Sequence, residues 1–290
     1  MSDALDIVTR LQRLAESRTK NPNLEADKSR CLTQNTVTKS HALSRAYYRF
    51  GLVEKRCMEA LISKLHPLRL DNNLQEMELS ARESAKAYNV SEKLAYRDIA
   101  AAVEALMHRV IVADRANGKA GRIEFTLMAK AEYVEDEGHI LCAFNPYIVP
   151  YLIGLRAKFS SYPLKTAVNF SSSYTWRFYE LLVSWAKDKE ETEGQFLGWI
   201  SKQPVDDLRE MLGVPASYAW SKFETQILQT VQAELLQKAN IHVRLTRIKT
   251  NRKITHLKIE VIQEGTTPPS PESCADQSTH RAYSAHNLPT

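Results

Sequence analysis

Apolar and polar positions follow one arrangement along this chain, and that arrangement occurs twice. Each copy begins with a helix whose apolar residues are three or four positions apart, followed by a short strand, a second helix, a turn and a longer helix. Each copy ends in two strands in which apolar and polar residues alternate. The first copy covers roughly residues 52–130 and the second roughly residues 174–263.

Turn and capping residues mark the boundaries of the first copy. Ser80, with Glu83 three residues later, forms a capping box at the start of a short helix, and Ser91 is placed to cap the next helix. We expect an extended entry segment at 36–46, a helix at 52–65, a strand at 74–79, helices at 81–88 and 92–108, and a wing-like hairpin made by 110–112 and 123–127.

The second copy repeats this order with different residues. We expect a helix at 175–187, a strand at 196–200, a short helix at 205–212, a long helix from Ser217 or Ser221 to about Ala239, and a hairpin at 241–258. Pro204 suits a helix start, and Gly213 suits the turn that follows. A helix-turn-helix followed by a hairpin is the layout of a winged helix. The sequence therefore predicts an α+β fold of two tandem winged-helix domains.

The ends of the chain are polar and contain prolines, which predicts flexible termini. We therefore divide the 290 residues into a flexible N-terminal segment (1–35), winged-helix domain 1 (36–155), winged-helix domain 2 (156–263) and a disordered tail (264–290). Domains of this size are ordinary for globular proteins.

The second hairpin carries the strongest charge signal in the chain. Residues 241–258 contain no acidic side chain, and their basic residues are Arg244, Arg247, Lys249, Arg252, Lys253 and Lys258. The net charge of +5 would not by itself indicate nucleic acid, so the inference depends on this clustering. If all these cations neutralised phosphates, the logarithm of the binding constant would fall with the logarithm of salt concentration with a slope of about −5.

The two long helices have residues suited to a major groove near their N-termini. In the first copy these are Ser91, Lys93, Tyr96 and Arg97, with Arg115, Lys119 and Arg122 at the tip of the predicted hairpin. In the second copy they are Lys222, Thr225, Gln226 and Gln229. Arginine and lysine match phosphates or guanine, and glutamine matches adenine. The alternative for each residue is a solvated surface position.

Other kinds of chemistry have less support. The four cysteines lack the paired spacing of a zinc site, so we expect free thiols, no metal and no cofactor. A P-loop is absent, which argues against an ATP-driven enzyme. A rolling-circle nickase needs a tyrosine nucleophile and a histidine pair, and Tyr47 and Tyr48 have no such pair, so packing is the expected role. A dedicated transcriptional repressor remains an alternative, because promoter binding uses the same surfaces.

Membrane and secretory signals are not found in the sequence. No apolar run approaches the roughly 20 residues of a membrane span. The N-terminus lacks the apolar core and cleavage site of a secretory signal. We therefore expect a cytoplasmic protein that makes no membrane contact.

Two segments carry a resemblance to a known family. They are FNPYIVPYLIGL at 144–155, which joins the two copies, and WRFYELL at 176–182. Together with the repeated winged-helix layout, they resemble the iteron-binding replication initiators of theta-replicating plasmids, the group that includes the F-plasmid initiator. The resemblance covers about residues 36–263. It implies a structural role for the junction residues Asn145, Pro146 and Tyr147.

The resemblance implies a function without catalysis. Such initiators bind direct repeats at a plasmid origin as monomers, and as dimers many bind an inverted repeat in their own promoter and repress it. The first winged helix usually forms the dimer interface. Chaperones often help to convert the dimer to the monomer. The implied partners are therefore double-stranded DNA, a second copy of the chain, and the host initiator, helicase and chaperones.

The resemblance also assigns base reading to the long helix of the second copy. The F-like members are arginine-rich there, whereas this chain has Glu224, Thr225 and Gln226, so a different iteron sequence is expected. Two roles are open for Glu224. It could accept a hydrogen bond from a cytosine amino group, or only repel a wrong register.

Overall fold

The computed structural model describes residues 31–65, 76–114, 122–156, 158–186 and 198–263 of the 290-residue chain. Most of the segment predicted as flexible (1–35) and the whole predicted tail (264–290) lie outside these residues. The end of the first segment is structured, contrary to the prediction. Leu32–Gln34 forms a 3₁₀ helix. Leu32, an apolar residue in an otherwise polar stretch, packs into the hydrophobic core of the protein and is fully buried.

The first unit contains the predicted helix-turn-helix with additional strands around it. In chain order its elements are β1 (Thr36–Ser40), α1 (His41–Arg45), α2 (Leu52–Lys64), β2 (Glu76–Ser80), α3 (Ala81–Tyr88), α4 (Glu92–Met107), β3 (Val110–Asp114), β4 (Arg122–Thr126), β5 (Met128–Val134), β6 (His139–Phe144) and β7 (Phe159–Pro163). Strand β7 follows the boundary predicted after residue 155, but it is described with the first unit because it pairs with β1. The entry segment predicted as extended is half strand and half helix. The predicted capping box is confirmed, because Glu83 Oε1 accepts from the Ser80 N–H at 3.0 Å and Ser80 Oγ accepts from Arg82 N–H at 3.2 Å.

The second unit follows the predicted order. Its elements are α5 (Leu164–Ala167), α6 (Ser173–Ala186), β8 (Gly198–Pro204), α7 (Val205–Met211), α8 (220–239), β9 (Ile241–Thr250) and β10 (Lys253–Gln263). Helix α8 contains a π-helical turn at Glu224–Leu228 between the α-helical segments Trp220–Phe223 and Gln229–Ala239. Neither of the predicted serines caps it. The cap position is Ala219, which has no side-chain hydrogen bond.

Strand order shows which hairpins correspond in the two units. In the sheet of the second unit, β8–β10–β9, the last strand of the hairpin lies between its hairpin partner β9 and the earlier strand β8. In the sheet of the first unit, β2–β6–β5, strand β6 lies in the same way between its partner β5 and the earlier strand β2. The hairpin that corresponds to the β9–β10 wing is therefore β5–β6. The prediction that 110–127 forms the wing of the first unit is wrong in this respect. Its two strands form, as β3 and β4, but they make a separate two-stranded ladder.

The junction segment is held by its own backbone and side chains. Asn145 Oδ1 accepts from the Tyr147 N–H at 3.1 Å, and Asn145 Nδ2 donates to Thr126 Oγ1 at 3.0 Å. Ile148 and Leu152 are buried. Asn145 therefore has structural contacts of the kind predicted for the junction, whereas the Tyr147 side chain is 71% exposed.

Helix α6 packs against both units. It contacts α1 and β7 of the first unit and β8 and α8 of the second. Its fully buried apolar side chains include Trp176, Phe178, Leu181 and Leu182. Buried apolar residues from both units form one continuous cluster. The two winged helices therefore share a core and are fixed to each other through α6.

An ionic cluster is buried where α6 meets β1 and α2. Its members, each at most 4% exposed, are Lys39, Lys55, Glu59, Arg177 and Glu180. Lys55 Nζ lies 2.7 Å from Glu59 Oε1 and 2.7 Å from Glu180 Oε2, and Lys39 donates to both carboxylates. Arg177 Nη1 lies 3.1 Å from Glu180 Oε2. The cluster satisfies its carboxylates with cations from three elements, as burial of charge requires.

The charges of this cluster affect one another, and the cluster is also bonded to the second helix-turn-helix. Burial alone would raise the pKa of Glu180, but the charges of Lys39, Lys55 and Arg177 outweigh it and hold that pKa well below its usual range. Arg177 Nε also donates to the Met211 carbonyl at 2.9 Å, at the end of α7. The cluster therefore links the second helix-turn-helix to the core of the first unit.

Candidate nucleic-acid interface

Helix α8 has a buried face and an exposed face. The buried face comprises Phe223, Ile227, Leu228, Val231 and Leu235. The exposed side chains, spaced at i, i+3, i+4 and i+7, are Lys222, Thr225, Gln226 and Gln229. This spacing sets them side by side along the first turns of the helix. The structure thus brings the four residues predicted for this helix into one row that can donate to and accept from base edges.

A π-helical turn, Glu224–Leu228, lies within this row. The Gln229 N–H donates to the Glu224 carbonyl, five residues earlier instead of four. Within this turn Ile227 and Leu228 are buried at 1% and 2% exposure, whereas Thr225 and Gln226 are exposed. Such turns occur frequently at functional sites.

Two side chains of the row have partners inside the protein. Thr225 Oγ1 donates to the Ser221 carbonyl at 2.8 Å, and Lys222 Nζ lies 4.0 Å from the centre of the Tyr218 ring. These contacts restrain both side chains. Within the described part of the chain the Gln226 amide has no hydrogen-bond partner, so it is free to meet a ligand.

The β9–β10 hairpin presents its basic side chains in two directions. The predicted wing residues are all exposed, namely Arg244, Arg247, Lys249, Arg252 and Lys253. Val243 is buried, so alternation along β9 turns Arg244 to the opposite face, where it is paired in register with Glu260. Arg247 lies an even number of residues from Val243 and therefore shares its face, which is the side of the hairpin that carries α8.

An ion pair joins this hairpin to α8. Arg247 Nη2 pairs with Glu224 Oε1, and Trp220 Nε1 donates to Glu224 Oε2 at 3.1 Å. With both carboxylate oxygens engaged by the protein, the structure favours Glu224 as a link between α8 and the wing over contact with a cytosine. Lys253 Nζ lies 3.8 Å from Asp206 Oδ2, but both side chains are mostly exposed, so this pair is weak.

The long helix of the first unit presents fewer of its predicted residues. Those that are exposed near its N-terminus are Ser91, Lys93 and Arg97. Ser91 Oγ accepts from the Leu94 N–H at 3.3 Å, which occupies it as a helix cap. Tyr96 is half-buried and packs against the core, and its hydroxyl has no hydrogen-bond partner among the described residues. This placement favours packing over DNA contact for Tyr96.

The first unit differs most from the second at its wing. Arg115 and Lys119 lie outside the described residues, and for Arg122 only the backbone is described, as the first residue of β4. The hairpin β5–β6, which corresponds to the basic wing, carries an exposed acidic tip instead, Glu135–Glu137. The sequence signal for this tip is the run Glu-Asp-Glu-Gly at 135–138, which lies between two alternating segments and outside the predicted wing at 110–127. A tip of this charge repels phosphate.

The alternative chemistries gain no residues from the structure. Tyr48 is 8% exposed and its hydroxyl accepts from Arg177 Nη1 at 2.9 Å, which is a packing role. Cys31, Cys57 and Cys142 are free thiols. Within the described ranges, no group of three or more histidine, cysteine or acidic residues is arranged to hold a metal ion. No helix in those ranges is long and apolar enough to cross a membrane.

Comparisons with known proteins agree with this architecture. The model of the family described as "Initiator Replication protein, WH1" matches residues 36–183, and that described as "Initiator Rep protein, WH2" matches residues 204–261. Among solved structures, the chain is similar to the Pi initiator protein in complex with iteron DNA, with 21% identity, a TM-score of 0.64, and coverage of 81% of this chain and 99% of that chain.

Two further solved structures match less of the fold. The WH1 domain of MSBI1.176, a replication protein isolated from a multiple sclerosis patient, is 22% identical, with a TM-score of 0.31 and coverage of 38% of this chain and 86% of that chain. Domains 2 and 3 of RctB are 10% identical, with a TM-score of 0.43 and coverage of 73% of this chain and 81% of that chain.

The family match and the geometry lead to the same conclusion. The WH1 model alone covers just over half of the 290 residues, and the WH2 model covers the second helix-turn-helix with its basic hairpin. The predicted pair of winged helices is confirmed. The chain belongs to the family of replication initiator proteins built from a WH1 and a WH2 winged-helix domain.

Proposed function

We propose that this protein initiates plasmid DNA replication by binding direct repeats (iterons) at the origin as a monomer. The observation that carries the proposal is the exposed polar row of α8 beside the basic β9–β10 hairpin, in a chain of the initiator family. The solved structure of similar fold that covers most of this chain is that of an initiator bound to iteron DNA, which supports the same reading. The protein acts by binding and recruitment, without catalysis, in the bacterial cytoplasm.

In this proposal α8 reads bases and the wing holds phosphates. Gln226 and Gln229 offer amides that match adenine, and Lys222 and Thr225 flank them. The wing cations Arg244, Arg247, Lys249, Arg252 and Lys253 neutralise backbone phosphates and set the salt dependence. Arg247 exchanges its intramolecular partner Glu224 for phosphate, so it contributes less to affinity than a free arginine would.

The first unit makes a second, weaker contact in this proposal. Ser91, Lys93 and Arg97 lie on exposed turns of α4 and meet an adjacent groove, with Lys119 and Arg122 as further contacts of the same unit. Because the tip of its β5–β6 hairpin is acidic, this unit is the one that exchanges DNA contact for dimerisation. The dimer binds an inverted repeat in its own promoter and represses it. Host initiator, helicase and chaperones are the remaining partners.

Binding assays on duplex DNA test the sequence-specific part. Fluorescence anisotropy with full-length protein compares a direct-repeat fragment from the plasmid origin with a shuffled duplex of equal length, across a salt series. We expect tight, steeply salt-dependent binding to the repeats and weaker binding to the shuffled duplex. Equal affinity for both duplexes contradicts specific initiation.

Variants separate the two roles within the second unit. Replacing Arg252 and Lys253 by Ala removes two cations, so binding weakens on every duplex and the salt slope decreases in magnitude by about two. Replacing Gln226 by Ala relaxes preference at one base pair and leaves the slope unchanged. Arg156→Ala is the control, because Arg156 is exposed and lies outside both surfaces. A base-specific effect of the wing variant would refute this division of roles.

A plasmid assay separates an initiator from a dedicated repressor. An origin fragment with this gene as its sole plasmid gene is expected to replicate in a host that lacks the parent plasmid. Promoter repression without replication identifies the protein as a dedicated repressor.

A further inference from the structure

A cavity of about 510 Å³ opens where the two units meet. It lies between α2 and the loop before it, the loop after α4, the start of α6 and the end of α7. Its cationic lining residues are Arg49, Lys55, Arg109 and Arg177, its remaining lining residues are uncharged, and Tyr48, Phe50 and Tyr174 supply aromatic walls. None of the described residues that line it is acidic.

Backbone electrostatics add to this positive lining. The cavity is bordered by Ser173 and Tyr174, the first residues of the 14-residue helix α6. It is also bordered by Gly51, the cap of α2, but the Glu54 carboxylate neutralises that end, because its Oε2 accepts from the Gly51 N–H at 2.7 Å. The N-terminal end of a helix carries a partial positive charge and unpaired N–H groups. With Glu54 set against Arg109, the lining still carries an excess of positive charge from Arg49, Lys55, Arg177 and the end of α6, so it favours an anion as its ligand.

The buried ionic cluster beneath the cavity is not neutral. In their ordinary charge states Lys39, Lys55 and Arg177 contribute three positive charges, while Glu59 and Glu180 contribute two negative ones, and all five are at most 4% exposed. An unbalanced buried charge is costly unless a counter-charge lies close to it. Lys55 and Arg177 belong both to the cluster and to the cavity wall, so an anion in the cavity supplies that counter-charge.

The hydrogen bonds already made decide which side chains contact the anion. Lys55 and Arg177 donate inward, to the cluster carboxylates and to Tyr48, so they act through charge. Arg109 pairs with Glu54 at 2.7 Å but remains 44% exposed at its side chain. Arg49 has no hydrogen bond or ion pair with any described residue and is exposed. Arg49 is therefore the free donor at this site.

We propose that this junction cavity is a phosphate-binding site in which Arg49 contacts the anion and Arg109 assists it. The phosphate is either a free inorganic or nucleotide phosphate, or one backbone phosphate of the duplex held between the two winged helices. The second source rests on the proposed function, whereas the first does not. In both cases the anion balances the buried cluster and joins the two units.

Binding of inorganic phosphate to the full-length protein tests the free-anion source. At constant ionic strength, with chloride replaced by phosphate, we expect a saturable rise in melting temperature and broadening of the phosphate ³¹P resonance. Arg49→Ala is expected to weaken phosphate binding about tenfold, because it removes one charge-assisted contact. Arg49→Lys is expected to recover part of that affinity, and Arg156→Ala is expected to leave the affinity for phosphate at the parent value.

Origin duplexes with a single methylphosphonate, placed in turn at each backbone position, test the DNA source. We expect one position at which the neutral linkage costs about tenfold in affinity and at which Arg49→Ala costs nothing more. A coupled position identifies a backbone phosphate as the occupant. Saturable phosphate binding without a coupled position identifies a free anion. Absence of both overturns the proposal. If the duplex is not bound at all, the phosphate titration alone decides it.

Discussion

Replacing Glu180 by Gln removes one of the two carboxylates of the buried cluster while keeping the size of the side chain. Glu180 accepts from Lys39, from Lys55 at 2.7 Å to each oxygen, from Arg177 at 3.1 Å, and lies 2.8 Å from the Tyr162 hydroxyl. Glutamine retains one acceptor oxygen, but its amide N–H₂ faces donors that it cannot satisfy. Three buried cations would then share the single charge of Glu59.

The size of the effect follows from this geometry. Breaking a buried ion pair by removing one partner costs about 3–5 kcal/mol, because the remaining charge is left uncompensated. Total stabilities of about 5–15 kcal/mol make this a large fraction of the free energy of unfolding. At about 2–4 °C per kcal/mol for a chain of this size, the melting temperature is expected to fall by roughly 6–20 °C.

The effect also depends on pH with a defined sign. The pKa of Glu180 is well below its usual range in the folded protein, so its contribution to stability is complete above the unfolded pKa of about 4.3. That contribution decreases as the pH falls below 4.3 toward the folded pKa. The difference in stability between Glu180→Gln and the parent chain is therefore constant near neutrality and narrows in acid.

Urea denaturation of both proteins at several pH values between about 3 and 7.5 measures this difference. Glu104→Gln is a matched control, because Glu104 is exposed on α4 and its replacement should change stability by less than about 0.5 kcal/mol. A Glu180→Gln deficit below 1 kcal/mol at neutral pH, or one that grows in acid, refutes the reasoning.

Three other changes have defined outcomes. Glu224→Gln removes the ion pair that holds Arg247, so affinity for any duplex should rise roughly fivefold at low salt. A loss of affinity confined to one base pair would instead assign Glu224 to base reading. Gly213→Ala combines a φ of +68° with a Cβ only 3.0 Å from a neighbouring side chain, whereas Gly138→Ala has a φ of +65° and open space. By thermal denaturation, Gly213→Ala should cost about 1–3 kcal/mol, and more than Gly138→Ala. In timed alkylation measured by mass spectrometry, Cys31 should react before Cys142. A hydroxyl that donates to its sulfur lowers the pKa of Cys31, whereas burial raises the pKa of Cys142 to about 12. Equal alkylation rates would contradict this prediction.

Much of the second unit could be predicted because its signals are local. The period of α8, the turn at Gly213 and the alternation of β9 each depend on residues close in sequence. The exposed row from Lys222 to Gln229 follows directly from that period. The ion pair of Glu224 with Arg247 could not be read in this way, because it joins residues brought together by the fold of the hairpin onto the helix.

The first unit was harder to predict for a related reason. Two hairpins follow α4, and both alternate, so the sequence does not say which one pairs with β2. Proximity in sequence favours the nearer hairpin, whereas the sheet contains the farther one, β5–β6. Lys55 and Glu59 likewise look like an exposed pair on a helix surface, four residues apart. They are buried because α6 covers them with Arg177 and Glu180, more than a hundred residues later in the chain.

The opposite charges of the two hairpin tips give the molecule an electric dipole. The β5–β6 tip is acidic and the β9–β10 tip is basic, so a single chain has a charge gradient from one winged helix to the other. Copies arranged on direct repeats all point the same way, and their gradients add along the array. Two copies on an inverted repeat oppose each other, and their gradients cancel. Orientation on DNA therefore changes the long-range field of the assembly even when every individual contact is the same.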